Sequence, residues 1–463
     1  MPKAARASAD RIAILTLAAA FIAQQLTHWQ WLSPTLGVLV FAAIAWLLPG
    51  LRGMTLWLTV AFMAAGAALM LFQQADADAW FAAASLNVTI ATLFVFAPLF
   101  GIPVRLPDYA EALRRFYETK LRSRTVTYAG TQLMTQIMGA FINVGSISVV
   151  YHLAFVKPRT EKLSRLLANA LNRGFAGAIA WSPYFAAMAL VTSALSLRWS
   201  ELIPYLLGLA ALCFVVGLAV DYRKLREPEE EPAGEEGSSI PADADAKPAG
   251  KAPFPAGLAM YLASAIAAIV LLEHAVDLPM VLVTCLAAAA FPLAWCAAKG
   301  RLATYRQGLA SHYSTTLPAL KKEITLFLAA GFFSGSIGTT GFGASLPVWL
   351  DALPLPVPLS FSLLAVLLVA GTSLAGLHPI VPVTILATGI APAAVHLSPQ
   401  EFGLLLLGSW AVSNPISPAS AVNNLLAGLF GKPVFVFARA NYAFSAWLGV
   451  ALLGYLALVR LIG

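Results

Sequence analysis

Gly331-Phe-Phe-Ser-Gly-Ser-Ile-Gly-Thr-Thr-Gly-Phe-Gly-Ala-Ser-Leu-Pro347 lies inside a run long enough to enter a membrane, yet it is built from glycine and hydroxyl residues. Glycine and proline loosen a helix. Backbone freed in hydrocarbon must find partners inside the protein or face a water-filled cavity. The stretch therefore reads as a broken, polar segment at membrane depth, the tip of a re-entrant hairpin over about 323–350. A shorter echo stands earlier, at Asn143-Val144-Gly145-Ser146-Ile147-Ser148.

Composition supports the membrane setting. The 463 residues are 59% hydrophobic and 11% charged, with a mean hydropathy of +0.78; soluble domains carry about 25% charged residues. The apolar runs, roughly 20 residues each, do not alternate, which predicts helices rather than a barrel. Cys213, Cys285 and Cys296 sit in apolar runs without metal-ligand spacing and read as packing residues. The net charge of +7 is a weak argument for nucleic acid and sets orientation instead. The first twenty residues imitate a secretory signal, but further spans follow at once, so they read as the first transmembrane helix.

Taken in order, spans are expected near 12–26, 32–50, 55–73 and 80–101. The next segment, 103–126, carries Arg105, Arg114, Arg115, Lys120, Arg122 and Arg124 and belongs on the cytoplasmic side. Leu106, Tyr109, Leu113, Phe116 and Tyr117 recur in it at helical spacing, as in a helix lying in the interface. The run 127–155, broken at Asn143–Ser148, has basic residues on both flanks, as a re-entrant hairpin has. Residues 161–197 are too long for one straight span, and a helix broken near Ser182-Pro183 fits them; a span at 201–220 follows.

Residues 222–254, rich in Glu, Pro, Ala and Gly, form a linker that cannot bury a core. The second half then repeats the order of the first: spans at 256–274 and 278–298, a basic stretch at 301–318, the hairpin, and a segment broken at Leu377-His378-Pro379. Overlaid, Tyr109 meets Tyr305, Gly145-Ser146-Ile147 meets Gly335-Ser336-Ile337, Ser182-Pro183 meets His378-Pro379, and Glu201 meets Glu401. The division is N-terminal helices 1–54, first repeat 55–221, linker 222–254, second repeat 255–432 and a final helix 433–463. This count and the basic loop Lys299–Lys322 put both hairpins on the cytoplasmic side.

No Asp or Glu falls in the middle of a predicted span, which argues against a carrier built on a membrane carboxylate pair. Neutral groups stand in their place. Helix N-termini meeting at the midplane make an anion site, and freed carbonyls with Ser, Thr or Asn oxygens coordinate Na⁺. The candidates for substrate are Asn143, Ser146, Ser182, Ser336, Thr339, Thr340, His378, Asn414 and Ser417; those for an ion are Ser148, Ser334, Thr372 and Ser373. Asn414, Ser417, Ser420 and Asn424 would share one face of a helix. The competing reading is that Ser, Gly and Ala let helices pack closely. Arg173 either neutralises an anion or snorkels to the interface. There is no Walker A loop, GxSxG or HExxH, so ATP-driven transport and hydrolysis have no support.

At its hairpins and breaks the chain resembles the ion transporter superfamily of secondary carriers, which includes the divalent anion/sodium symporters. The resemblance implies two inverted repeats, each with an interface helix, a re-entrant hairpin and a discontinuous helix whose polar tips bind carboxylate and Na⁺. By position, the hairpin tips map to Asn143–Ser148 and Ser334–Thr340, and the breaks to Ser182-Pro183 and His378-Pro379.

The expectation is an all-α polytopic membrane protein of about 10–12 transmembrane helices in two repeats, in the inner (cytoplasmic) membrane. It would work without enzymatic activity, as a secondary transporter of a small organic anion. The partners are then the anion and the lipid bilayer, without nucleic acid. Na⁺ is a candidate coupling ion beside H⁺, no other cofactor is implied, and a homodimer is among the assemblies allowed. A membrane-embedded enzyme of lipid or polysaccharide assembly and an ion channel are the alternatives.

Overall fold

The computed structural model describes residues 3–121, 123–156, 159–227, 255–276, 278–341 and 348–462. The described chain is helical, without a strand, and ten of its helices are long and apolar enough to cross a membrane. The linker beyond residue 227 and the second part of the opening glycine stretch, 342–347, lie outside the described residues.

Four N-terminal crossings come first, over Arg6–Thr27, Leu32–Gly50, Gly53–Phe72 and Ala77–Arg105. The amphipathic helix Pro107–Lys120 follows, burying Tyr109, Leu113 and Tyr117 on one side. The Tyr117 hydroxyl lies 2.8 Å from Thr131 Oγ1 and ties this helix to the first hairpin.

That hairpin consists of Arg124–Ile142 and Gly145–Ala154. Ser123 caps its start by accepting from the Val126 amide, and Asn143 makes the turn at φ +50° and ψ −137°. The first broken helix follows as Glu161–Trp181 and Ala186–Leu195, and the long helix Trp199–Arg226 closes the unit.

The second half contains the same unit further along the chain than the sequence overlay places it. After crossings at Ala256–Ala275 and Met280–Ala298, residues Leu302–Ser311 run through a π-helical turn, His312–Thr316, straight into Leu317–Gly338. Within the stretch expected as a hairpin tip, Gly331–Gly338 is thus the end of one uninterrupted helix, and Thr339–Gly341 turns after it. Its 22 residues measure about 33 Å, enough to cross a hydrocarbon core of about 30 Å. Lys321, Lys322 and Glu323 near its start set it apart from the ten apolar spans, and we read it from its length as a further crossing.

The small residues serve close packing. A Cβ on Gly331 would come within 2.7 Å of Asn87 Cβ, and one on Gly335 within 2.7 Å of Ala83 Cα. Those contacts, together with the Asn87 amide donating to the Phe327 carbonyl at 2.9 Å, are what the glycines permit.

The second hairpin is instead Val357–Leu374 with Ile380–Gly389, turning through Gly376 at φ +90°. The second broken helix is Pro399–Ser413 with Ala421–Phe430, its start fixed by a capping box of Ser398 and Glu401. After the short helix Val434–Ala440 the chain ends with Tyr442–Ile462, the counterpart of Trp199–Arg226.

In this register His378-Pro379 matches the tip at Asn143, and Asn414-Pro415 matches Ser182-Pro183. The final helix therefore joins the second repeat. The packing agrees: in each unit the first hairpin arm lies along the first broken-helix segment, which lies along the closing helix, and the two broken helices touch. All four second arms are ten residues long. At 1.5 Å per residue that is about 15 Å, half a membrane.

The extra crossing inverts the second repeat. Glu161 pairs with Lys432 at 2.8 Å, so the first broken helix begins at the face where the second ends. At that same face Lys162 meets Glu227 at 2.7 Å, and Lys321 meets Asp10 at 2.7 Å. At the opposite face, Glu273 accepts from the Trp199 amide at 2.7 Å. The two hairpins thus enter from opposite sides, not both from one. Apart from buried Arg173, the described Lys and Arg residues lie at the first face, with Arg198 and Arg460 as the exceptions. By the positive-inside rule it is the cytoplasmic one.

Candidate functional site

A cavity of about 660 Å³ opens between the two units and the crossings beside them. Its mouth is lined by Arg105 and Ala110 of the first interface region and by Gly308, Ser311 and His312 of the second, all at the basic face. Leu320, Glu323 and Phe327 form one wall. The floor combines all four interruptions: Gly139–Gly145 at the first hairpin tip, Tyr184–Ala187 at the first break, His378 at the second tip, and Asn414, Ala421 and Val422 at the second break.

What the interruptions present is backbone. The helices starting at Gly145, Ala186 and Ala421 bring their N-termini to the floor. At Gly145 the Ser146 and Ile147 amides are taken by the Asn143 and Val144 carbonyls, and at Ile380 the first amides are taken by His378 and Pro379. The Ala186 and Ala421 starts are therefore the open ones. The first four N–H groups of a helix have no partner within it. In the Ala186 helix the Ala189 amide donates to the Phe185 carbonyl at 3.1 Å, and in the Ala421 helix the Asn424 amide donates to the Ser420 carbonyl at 3.0 Å. Ala186, Ala187 and Ala421 leave those amides uncovered by bulk. Ser420 stands at the cap position, but its hydroxyl donates to Asn414 Oδ1 at 3.1 Å instead.

Two side chains on the floor are unsatisfied. The hydroxyl of Tyr184, 4% exposed, and the amide nitrogen Nδ2 of Asn414, 6% exposed, have no hydrogen-bond partner. Burying such a group unpaired costs about 1–3 kcal/mol, and both residues line the cavity. His378 is held between Phe327 and Trp410, with ring centroids 5.0 and 5.7 Å away. Its Nδ1 accepts from the Ile380 amide at 3.2 Å, which fixes the ring over the helix start.

The sequence-predicted residues divide accordingly. Asn143, His378 and Asn414 line the cavity. Asn143 Oδ1 accepts from the Val144 amide at 2.7 Å. Ser182, Ser146 and Ser417 are buried behind the floor and hold its shape. Ser182 donates to the Ala140 carbonyl and accepts from the Tyr184 amide, joining the break to the hairpin tip. Ser146 donates to the Asn143 carbonyl at 2.8 Å, and Ser417 Oγ accepts from Ala419 at 3.3 Å.

The remainder do not line the cavity. Ser336, Thr339 and Thr340 donate to carbonyls of their own helix end, at 2.8, 2.8 and 2.7 Å. Ser334 lies 3.2 Å from Thr388 Oγ1 across the contact with the second hairpin. Thr372 bonds back to Leu368, Ser373 is buried with an unpartnered hydroxyl, and Ser148 sits part-way along the first hairpin's second arm. The polar face expected over Asn414–Asn424 is not helical: a 3₁₀ turn at Asn414–Ile416 gives way to extended backbone at Ser417. Arg173 neither reaches the interface nor the floor; it is fully buried against Asp221.

Tyr184, Trp410, Phe327, Glu323 and His312 were not read from the sequence. Only Tyr184 had a signal, standing directly after Ser182-Pro183.

No protein-family model and no curated protein matches the sequence. Among solved structures, the chain is similar to the YdaH transporter of Alcanivorax borkumensis, described as having an unusual topology. The TM-score is 0.51 at 16% identity, over 88% of this chain and 98% of that one. At this identity the likeness is one of fold: the chain is a multi-pass membrane protein that shares its fold with that structure.

Proposed function

We propose that the protein is a secondary active transporter that moves a small organic anion across the cytoplasmic membrane by alternating access, coupled to Na⁺ or H⁺. The observation that carries this reading is the convergence of two open helix N-termini, at Ala186 and Ala421, on one cavity floor that also gathers both hairpin tips. Each such end holds roughly half a positive charge and, when partly buried, stabilises an anion by up to about 2 kcal/mol. A floor of this kind binds an anion without an arginine, and none is present there. Asn414 Nδ2 and Tyr184 Oη supply two further donors. The inverted relation of the two units gives the second requirement of a carrier, two equivalent ways of exposing one site. The mouth at the basic face makes this the cytoplasm-open state.

The test is uptake of radiolabelled carboxylates into proteoliposomes under separately imposed Na⁺ and pH gradients. Accumulation against the substrate gradient, reduced at least tenfold in Asn414→Leu, is the expected result. Folded protein that accumulates none of them under either gradient removes the reading.

A further inference from the structure

Thr316, Leu320, Glu323 and Phe327 follow one another at spacings of four, three and four and line one wall of the cavity. Phe327 touches His378 on the floor, and Glu323 stands one helical turn, about 6 Å along the axis, from Phe327. Its side chain is exposed to the cavity and has no ion-pair partner among the described residues. A lone carboxylate on the wall of an anion cavity works against the occupant when ionised and not when protonated.

We propose that Glu323 is a proton site linked to the anion site: from the cytoplasm-open state, an anion binds to the floor together with a proton on Glu323. This rests on the reading of the floor as an anion site.

The surroundings give Glu323 this part alone. Arg105, His312, His378 and Tyr184 share the cavity with it. Arg105 at the mouth attracts the anion whatever the pH. The His312 ring lies beside the Val95 carbonyl without a well-formed hydrogen bond. On the same helix Lys321 is held by Asp10 at 2.7 Å, and Lys322 is the remaining neighbour. The helices packed against this wall at Leu32–Leu47, Gly53–Phe72, Val88–Phe96 and Ile380–Gly389 carry no charged residue, and Ala77–Ser85 carries only Asp78, at the opposite face. Lys3–Thr27 brings Lys3, Arg6, Asp10 and Arg11 to the basic face, where Asp10 holds Lys321.

The experiment is equilibrium binding of succinate and of benzoate to purified full-length protein between pH 6.5 and 8.5, where both probes stay ionised. Calorimetry in buffers of different ionisation enthalpy counts the protons taken up. Wild type should bind more weakly as pH rises, approaching tenfold per unit, with net proton uptake. Glu323→Gln should bind at the high-affinity limit across the range, without proton uptake, and Glu323→Asp should restore the dependence. Wild-type binding that ignores pH, or a slope that survives Glu323→Gln, overturns the proposal. Loss of the slope in His312→Gln or His378→Gln, with Glu323→Gln unchanged, overturns it in favour of an imidazole. If wild type binds neither probe at any pH, the anion-site reading itself fails, and the linkage with it.

Discussion

Arg173 Nη1 lies 2.7 Å from Asp221 Oδ2, and both side chains are fully buried. The guanidinium also donates to the Tyr128 hydroxyl at 2.7 Å, the Gly217 carbonyl at 2.9 Å and Asn441 Oδ1 at 2.9 Å. Asp221 is further held by Asn169 at 3.1 Å and by Lys224 at 3.0 Å. One ion pair therefore binds the first hairpin arm, the first broken helix, the long helix and the entry to the last helix into one body. If two such units move past the crossings beside them, this cluster keeps the first of them rigid.

The asymmetry between breaking and replacing a buried pair makes this testable. Removing one partner strands a charge, at a cost of about 3–5 kcal/mol, whereas replacing both with apolar groups is often close to neutral. Arg173→Met and Asp221→Leu should each lower the melting temperature of the purified protein strongly. The double variant should recover most of the loss. Thermal unfolding followed by tryptophan fluorescence checks this, and a double variant as unstable as the sum of the singles removes it.

The glycine stripe of Leu317–Gly338 makes the opposite kind of prediction. Gly335→Leu places a side chain where even a Cβ lies 2.7 Å from Ala83 backbone, so the protein should fail to fold or lose several kcal/mol. Ser336→Ala, a change at what the sequence suggests as a substrate ligand, deletes only a hydroxyl bonded to the Phe332 carbonyl. Its transport should stay within about twofold of wild type, since a back-bonded serine contributes little to its helix. Uptake assays on both variants, normalised to folded protein, read the contrast.

These residues also show what the sequence reveals and what it hides. Apolar runs of membrane length, the amphipathic helix after Arg105 and the breaks at Asn143, Ser182 and His378 are local features, and each stands where its residues put it. Gly331–Thr340 misleads because glycine and serine serve two ends in a membrane, loosening a helix or letting a neighbour approach. The choice depends on Asn87 and Ala83, some 240 residues away in the chain. Once that segment counts as a crossing, the second hairpin moves to Val357–Gly389 and its sidedness reverses. The cavity wall at Glu323 and Phe327 is likewise invisible until distant elements meet.

The floor donors separate binding from folding. Tyr184→Phe removes a hydroxyl that has no partner inside the protein, whereas Asn414→Leu removes the unpartnered Nδ2 together with the Oδ1 that accepts from Ser420 at 3.1 Å. Tyr184→Phe should leave the melting temperature within a degree or two, because no hydrogen bond of Tyr184 Oη is lost. Asn414→Leu should also cost about 1–3 kcal/mol of stability by stranding the buried Ser420 hydroxyl. Each should weaken anion binding by roughly 1–3 kcal/mol if its donor meets the ligand. The discriminating result is affinity lost at constant stability in Tyr184→Phe. A fall in stability with unchanged affinity in Tyr184→Phe would assign that residue to packing.

Sidedness is open to chemical labelling because Cys213, Cys285 and Cys296 are all buried and give little background. Lys432→Cys and Thr160→Cys should react with an impermeant maleimide only from the cytoplasmic side, since Lys432 pairs with Glu161 at that face. Ser398→Cys and Ser196→Cys, at the start of the second broken helix and the end of the first, should react only from outside. Labelling of Ser398→Cys from the cytoplasm would mean that Leu317–Gly338 does not cross. The two hairpins would then enter from one side, and alternating access through inverted halves would lose its structural basis.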